Sequence, residues 1–248
     1  MQLLVALRLH GQHGQPLALA AVLDGITRAV VYADRVLVLV SLPPDLLAEL
    51  TAAVVVLPKV VLQVVEPWGK FTFALNVAVQ HASDNGFEVI AFQSVEMRVE
   101  QPVISALLSL FTDERVLVVG PVLEGHEFSP GEVSLRGRTC PWNTLALWRV
   151  DLLGLTGFPS VADGREGVEA GVEEVSTVAL LKHLRPEAKA VLVSIRSRES
   201  IHWDLEAVEA DAERRAWHEK KMRSKDDRPA KHLQLLGLPP TFVEHVVL

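Results

Sequence analysis

The chain carries its hydrophobicity in short runs, and that habit limits what it can fold into. Residues 36–40 (VLVLV), 51–57 (TAAVVVL) and 60–65 (VVLQVV) are nearly continuous in Val, Leu and Ala. Each is far shorter than the ~20 residues a membrane-spanning helix needs, and prolines or charges interrupt them. A strand wetted on one face alternates apolar and polar residues, whereas a strand covered on both faces is apolar throughout. The runs therefore read as buried strands of a parallel sheet, and the mean hydropathy of +0.26 belongs to a core. The opening stretch, MQLLVALRLHGQHGQ, has no basic segment ahead of its apolar run and no small-residue cleavage pattern. No signal peptide is expected, and the expected location is cytoplasmic. A single cysteine, Cys140, excludes a disulfide framework and fits a reducing compartment.

Segments of helical period alternate with these runs. Residues 2–9 read as a strand, 16–31 as an amphipathic helix, 35–41 as a strand and 43–53 as a helix with proline near its start. Residues 60–65 read as a third strand and 71–83 as a helix closed by the Asn85-Gly86 turn signal. Residues 87–92 are a strand, 99–111 a helix and 116–120 a fifth strand. This order predicts an α/β fold, a doubly wound and mostly parallel sheet sandwiched by helices with right-handed crossovers. After Gly120 the rhythm changes. Residues 121–138 read as a long loop with a small hairpin, 144–150 as a strand, 151–156 as a helical turn and 157–171 as a Gly-rich loop. A helix over 171–184 and a strand over 188–195 follow.

Among 248 residues, 49% are hydrophobic and 22% charged, which excludes a disordered chain or a coiled coil. The net charge of -7 leaves no electrostatic footprint for nucleic acid. Residues 196–232 hold nine acidic and ten basic residues, a solvated helical face by their mixed sign. Residues 234–248 turn apolar again and are expected to pack on the body or on a second copy of the chain, a contact for a homo-oligomer. The expected division is one domain over 1–195 and a charged, helical C-terminal extension over 196–248.

In doubly wound sheets ligands bind at the carboxyl ends of the strands. The first such loop holds Arg8, His10, Gly11 and His13, donor-rich and Gly-containing, and suited to a base, a ribose or a diphosphate. A plain surface turn is the other reading. The most informative stretch is residues 69–96, GKFTFALNVAVQHASDNGFEVIAFQSVE. A Gly69-Lys70 pair precedes a helix carrying Ala74, Asn76, Ala78 and Ala82; a Gly86 turn then leads into an apolar strand that ends in Ser94-Val95-Glu96.

Here the chain resembles the nucleotide-diphosphosugar (GT-A type) glycosyltransferases, in which such a strand ends in Asp-x-Asp. Residues 145–153 with Gly157-Phe158 resemble the segment before that family's Gly-Phe turn. Gly171-Val172-Glu173-Glu174 resembles the acidic pair that opens its acceptor-side helix. The likeness spans residues 2–195 with gaps. It implies a nucleotide-binding half over 1–120 and an acceptor-side half over 121–195. It also implies a nucleoside-diphosphate sugar as donor, a hydroxyl acceptor and a divalent cation, Mn or Mg. The departing diphosphate needs its charge neutralised, and alternate residues at a strand end put two carboxylates on one side of the chain. Here that motif is degenerate, since Ser94 stands where the first acid belongs. By the resemblance Lys70, Asn76, Ser94 and the Arg8-to-Gly11 loop hold the donor, and Glu96 meets the diphosphate or its metal. His202 follows the last strand, where several GT-A proteins supply a further metal-ligand histidine; by position alone a surface histidine is the preferred reading. Glu173 or Glu174, with preference for Glu174, is the base. Adjacent helical positions point about 100° apart, so only one of the two is expected to face the cleft. For Glu96, and for Glu173 and Glu174, the other reading is an acid complementing the N-terminus of a nearby helix.

Trp142 and Asn143 suit stacking on, and bonding to, an acceptor sugar; a Trp packed under a loop is the other reading. Cys140 has no His partner nearby in sequence and is not read as a nucleophile. His10 and His13 lack a third ligand, while Arg196 and Arg198 could meet phosphates or form a solvated face. Two functions follow: a transferase, or a catalytically silent relative that keeps the fold for binding or assembly. A sugar-phosphate nucleotidyltransferase fits poorly, because its first loop calls for a Gly-rich run followed by Arg and Lys.

Overall fold

The computed structural model describes residues 1–11, 18–165, 167–196, 201–203 and 222–248. The first half follows the expected alternation: β1 (Leu3–His10), α1 (Leu19–Tyr32), β2 (Arg35–Ser41), α2 (Pro44–Val54), β3 (Val60–Val64), α3 (Thr72–Asp84) and β4 (Val89–Gln93). Then come β5 (Met97–Val99), α4 (Gln101–Ser109), β6 (Val116–Pro121), β7 (Gly131–Ser134) and β8 (Leu145–Arg149). The rest comprises α5 (Val150–Leu153), α6 (Glu173–Leu184), β9 (Lys189–Ser194), β10 (Ile201–Trp203), α7 (Asp227–Leu236) and β11 (Phe242–Val247).

Nine strands form one sheet in the order β3-β2-β1-β4-β8-β6-β9-β11-β7. Its pairs are parallel except where β8 runs against β4 and β6, and β7 against β11. The chain steps outward from β1 to β2 to β3 and then returns to β4 on the other side of β1. Right-handed crossovers then put α1 and α2 on one face and α3 on the other. Side-chain alternation feeds both layers. Leu3, Val5 and Leu7 of β1 pack with Ile26, Leu50 and Ile104 beneath α1, α2 and α4. Leu4 and Ala6 pack with Ala74, Leu75 and Ala78 of α3, and Val175 and Val178 of α6 line the same side. The reversal at β1/β4 is the switch point, where loops diverge and leave a crevice at the carboxyl edge.

Three expectations change. Residues 121–138 do not close a hairpin on themselves: β7 pairs with β11, about a hundred residues on, with Val133 opposite Val243. The segment after residue 195 is not wholly helical. Its β11 enters the main sheet parallel to β9, so the apolar end packs on the body of its own chain. β5 and β10 form a separate two-stranded antiparallel sheet, too short to show in apolar periodicity. No described helix is long and apolar enough to cross a membrane.

Candidate functional site at the carboxyl edge of the sheet

The carboxyl ends of β1, β2, β3 and β4 bring four loops to one edge. At the end of β1, His10 stacks on Trp68 with centroids 4.9 Å apart and planes 13° from parallel. Gly11 donates its amide to the Ser41 carbonyl, fastening the first loop to β2. Arg8 lies within β1 opposite Leu39 and is half-buried. Trp68 went unnoticed in the sequence, where it stands between two turn residues; His13 and Arg198 lie outside the described residues.

Lys70 is exposed in the turn before α3. The first amides of that helix, however, are already bonded: Phe71 and Thr72 both donate to Asp163 Oδ1 at 2.8 Å, and Thr72 Oγ1 donates to Oδ2 at 2.7 Å. Asp163, at the end of the short turn Ser160–Asp163, thus caps α3 and satisfies its first amides. Asn76 is also turned away from the expected donor contact. Its Nδ2 donates to the Phe158 carbonyl at 3.0 Å, and its Oδ1 accepts from the Phe158 amide at 2.7 Å. Gly157 is required there. Its φ is +59, and a Cβ would lie 2.6 Å from Asn76 Oδ1.

The strand end Ser94-Val95-Glu96 is a tight turn in which Ser94 Oγ donates to the Glu96 carboxylate and the Met97 amide to the Ser94 carbonyl. α1 packs closely on it, because a Cβ at Gly25 would meet the Val95 carbonyl at 2.8 Å. β10 pairs with β5 directly after the turn, setting His202 opposite Arg98 and Trp203 opposite Met97. Among the described residues no group of three or more His, Cys, Asp or Glu side chains converges on a metal position. The turn offers one carboxylate, Glu96, and one hydroxyl, Ser94, while the imidazole of His202 stands on β10 opposite Arg98. These are ligand types a borderline divalent cation accepts alongside phosphate oxygens and water.

The acid pair lies one strand position away. Ser94 donates its amide to the Thr144 carbonyl at 2.9 Å, and the preceding Asn143 meets both acids. Its main-chain N–H donates to Glu174 Oε1 at 2.6 Å and its Nδ2 to Glu173 Oε1 at 3.2 Å. Trp148 Nε1 in turn donates to Asn143 Oδ1 at 2.9 Å. Both acids are buried, and both reach the same residue, contrary to the expectation that one would point away. The reason is local backbone shape. Gly171 at φ +100 and Val172 at φ +62 fold the chain back just before α6, aiming the first turn of the helix at the start of β8. A β-branched residue in the left-handed region is strained and needs surrounding structure to hold it there. Burial and the neighbouring Glu173 push the Glu174 carboxyl up to about 7.

Trp142 does not offer a face for a sugar. It is 1% exposed, its Nε1 donates to the Gly137 carbonyl at 2.6 Å, and His126 stacks on it at 3.7 Å. Lys225 Nζ sits 3.1 Å from its ring centroid, and Trp203 meets it edge-on at 6.5 Å. Asn143 is buried with its amide engaged at both ends, so the acceptor contacts expected of these two residues are replaced by internal ones. The His126 ring is held neutral, its pKa pushed down to about 3 by burial. Cys140 is buried and its thiol is pushed up by desolvation, which agrees with its rejection as a nucleophile. Arg196 donates its amide to the Leu248 carbonyl.

The sequence matches no protein-family model and no curated protein. Solved structures do match. A mannosyltransferase of Pyrobaculum calidifontis, determined with GDP-Man and Mn2+, aligns at TM-score 0.50 and 16% identity over 73% of this chain and 52% of its own. GalNAc-T7, determined with UDP, GalNAc and Mn2+, aligns at TM-score 0.54 and 10% identity over 73% of this chain and 40% of its own. The chain has the α/β fold of the GT-A-type glycosyltransferases. It spans about half the length, or less, of these two structures.

Proposed function

We propose that the protein binds a nucleoside-diphosphate sugar at the carboxyl edge of its sheet and transfers the sugar to a hydroxyl acceptor. The observation that carries this reading is the short path from Ser94 to Thr144 and from Asn143 to Glu174. It sets the donor-side turn and a carboxylate of near-neutral pKa one strand position apart. The donor's nucleotide lies against the His10 loop, with Lys70 near the phosphates. Glu174 takes the acceptor hydroxyl proton as the new C–O bond forms and the nucleoside diphosphate leaves. A divalent cation arriving with the donor would be held by Glu96 and His202, with Ser94 beside them, and would neutralise diphosphate charge. A thermal-shift panel of UDP, GDP, CDP and dTDP, each with and without Mn2+, tests the reading. One nucleotide should raise the melting temperature in a Mn2+-dependent way. At a hundredfold excess over Kd the stabilisation is about 2.7 kcal/mol, and Glu96→Ala should remove the metal dependence. Equal binding with and without Mn2+ sinks the metal role, and a flat panel sinks the donor site.

One observation favours a second reading, a silent relative kept for binding or assembly. Trp142, Asn143 and the acid pair are buried, and Lys225 of the C-terminal segment lies on the Trp142 ring. A flat nucleotide panel is what that reading expects.

A further inference from the structure

Two carboxylates buried side by side at Glu173 and Glu174 call for positive charge close by, because an uncompensated buried charge is strongly destabilising. The N-terminus of α6 supplies part of it. The C-terminal segment brings a cation onto Trp142, next in sequence to the Asn143 that bonds both acids. Lys225 is 7% exposed and sits on the indole of Trp142, the residue beside Asn143. Its segment is latched to the turn around Gly137: the Arg138 amide donates to Asp226 Oδ1 at 2.9 Å and Arg138 Nη2 to the Met222 carbonyl at 3.0 Å. Gly137 has no side chain where the Lys225 carbonyl passes, and a Cβ there would collide with it. One helical turn on, Arg228 donates to the Ala170 carbonyl at 2.7 Å, in space left by Gly171.

We propose that Lys225 is a positioning residue: the C-terminal segment delivers its ammonium onto the Trp142 face as the counter-cation that lets the buried Glu173–Glu174 pair carry negative charge. The groups acting on the pair come from every element around it. Lys225 opposes the rise of Glu174 that Glu173 and burial impose. Arg228 feels Glu169, Glu173 and Glu174, and the buried Cys140 thiol feels both acids and Lys225. His126 feels Lys225 and His245, and His232 feels Arg228 and Glu173. The two imidazoles His126 and His232 are lowered by burial and add no charge near neutral pH. The Lys225 ammonium lies on the indole face as a cation–π contact, and its charge acts from there on the acids bonded by the neighbouring Asn143. The consequence is that a segment about fifty residues beyond the base offsets part of the rise in proton affinity that burial and Glu173 impose.

The inference rests on the reading of Glu174 as the base for its meaning, but its test needs no nucleotide. The full chain labelled at glutamate with 13C on the side-chain carboxyl is titrated by NMR, and Glu174→Gln assigns the resonance that changes near neutrality. Lys225→Met and Lys225→Gln should each move its midpoint upward by about one unit or more. Lys225→Arg, and Lys231→Met on the exposed side of α7, should leave it at the parental value. Neutral variants that keep the parental midpoint, or a Lys231→Met shift as large as theirs, overturn the proposal. If both neutral variants fail to fold while Lys225→Arg folds, the positive charge itself is required and the proposal stands. If Lys225→Arg fails too, packing rather than charge explains the site, and the proposal falls. A flat nucleotide panel would refute the donor reading without touching this titration.

Discussion

Glu174 illustrates how much one side chain can depend on its surroundings. Its carboxyl is driven up to about 7, first by burial and then by Glu173, from a usual value of 4.5. The folded protein therefore holds a proton that the unfolded chain has released between these values. Stability contributed by the protonated form is fully present below about pH 4.5 and is lost as pH rises through 7. Unfolding of the parent, compared with Glu174→Gln across pH 4 to 8, should show the parent losing about 1 kcal/mol or more relative to the variant as pH rises. A constant difference across that range would mean the acid is not shifted. The chain's acids at this helix start were readable as candidates from their place after a Gly-rich loop. Their joint contact with Asn143 was not, since it depends on the left-handed Val172.

Elements and their joints account for what became of the other candidates. The helix over residues 72–84 was legible from its period and its Asn85-Gly86 stop. The task of its polar residues was not, because their partners come from a loop eighty to ninety residues away. Asn76 clips α3 to the Gly157-Phe158 turn through two hydrogen bonds, and Asp163 caps the same helix. Asn76→Ala should therefore cost about 1–3 kcal/mol, seen as a lower melting temperature, and leave nucleotide affinity unchanged. A loss of nucleotide binding with an unaltered melt would restore Asn76 to the donor site. Short β5 and β10 escaped notice for a related reason: three residues carry too little pattern to betray pairing, yet this pairing is what brings His202 and Trp203 to the edge.

Across the whole molecule, the last strand closes the sheet. β11 lies between β9 and β7, its Val243 is fully buried, and His245 ties it inward. His245 Nδ1 accepts from the Ser129 amide at 3.1 Å and Nε2 lies 3.0 Å from the Thr139 carbonyl, while Phe128 stacks on the ring at 5.0 Å. Deleting residues 242–248 strips β9 and β7 of their shared partner and exposes two strand edges, an invitation to aggregate. The shortened chain should melt well below the parent and run as aggregate on size-exclusion chromatography. A melting temperature within about 2 °C of the parent, a shift smaller than 1 kcal/mol would cause, would contradict that role. Fold class and the strands β1 to β4 and β6 were readable along the chain, because burial on both faces writes itself locally as continuous apolar runs. Which acids meet, which tryptophan is covered, and that the C-terminal residues supply both a sheet strand and the cation beside the acid pair arise from contacts between residues far apart in sequence, and local pattern carries no record of them.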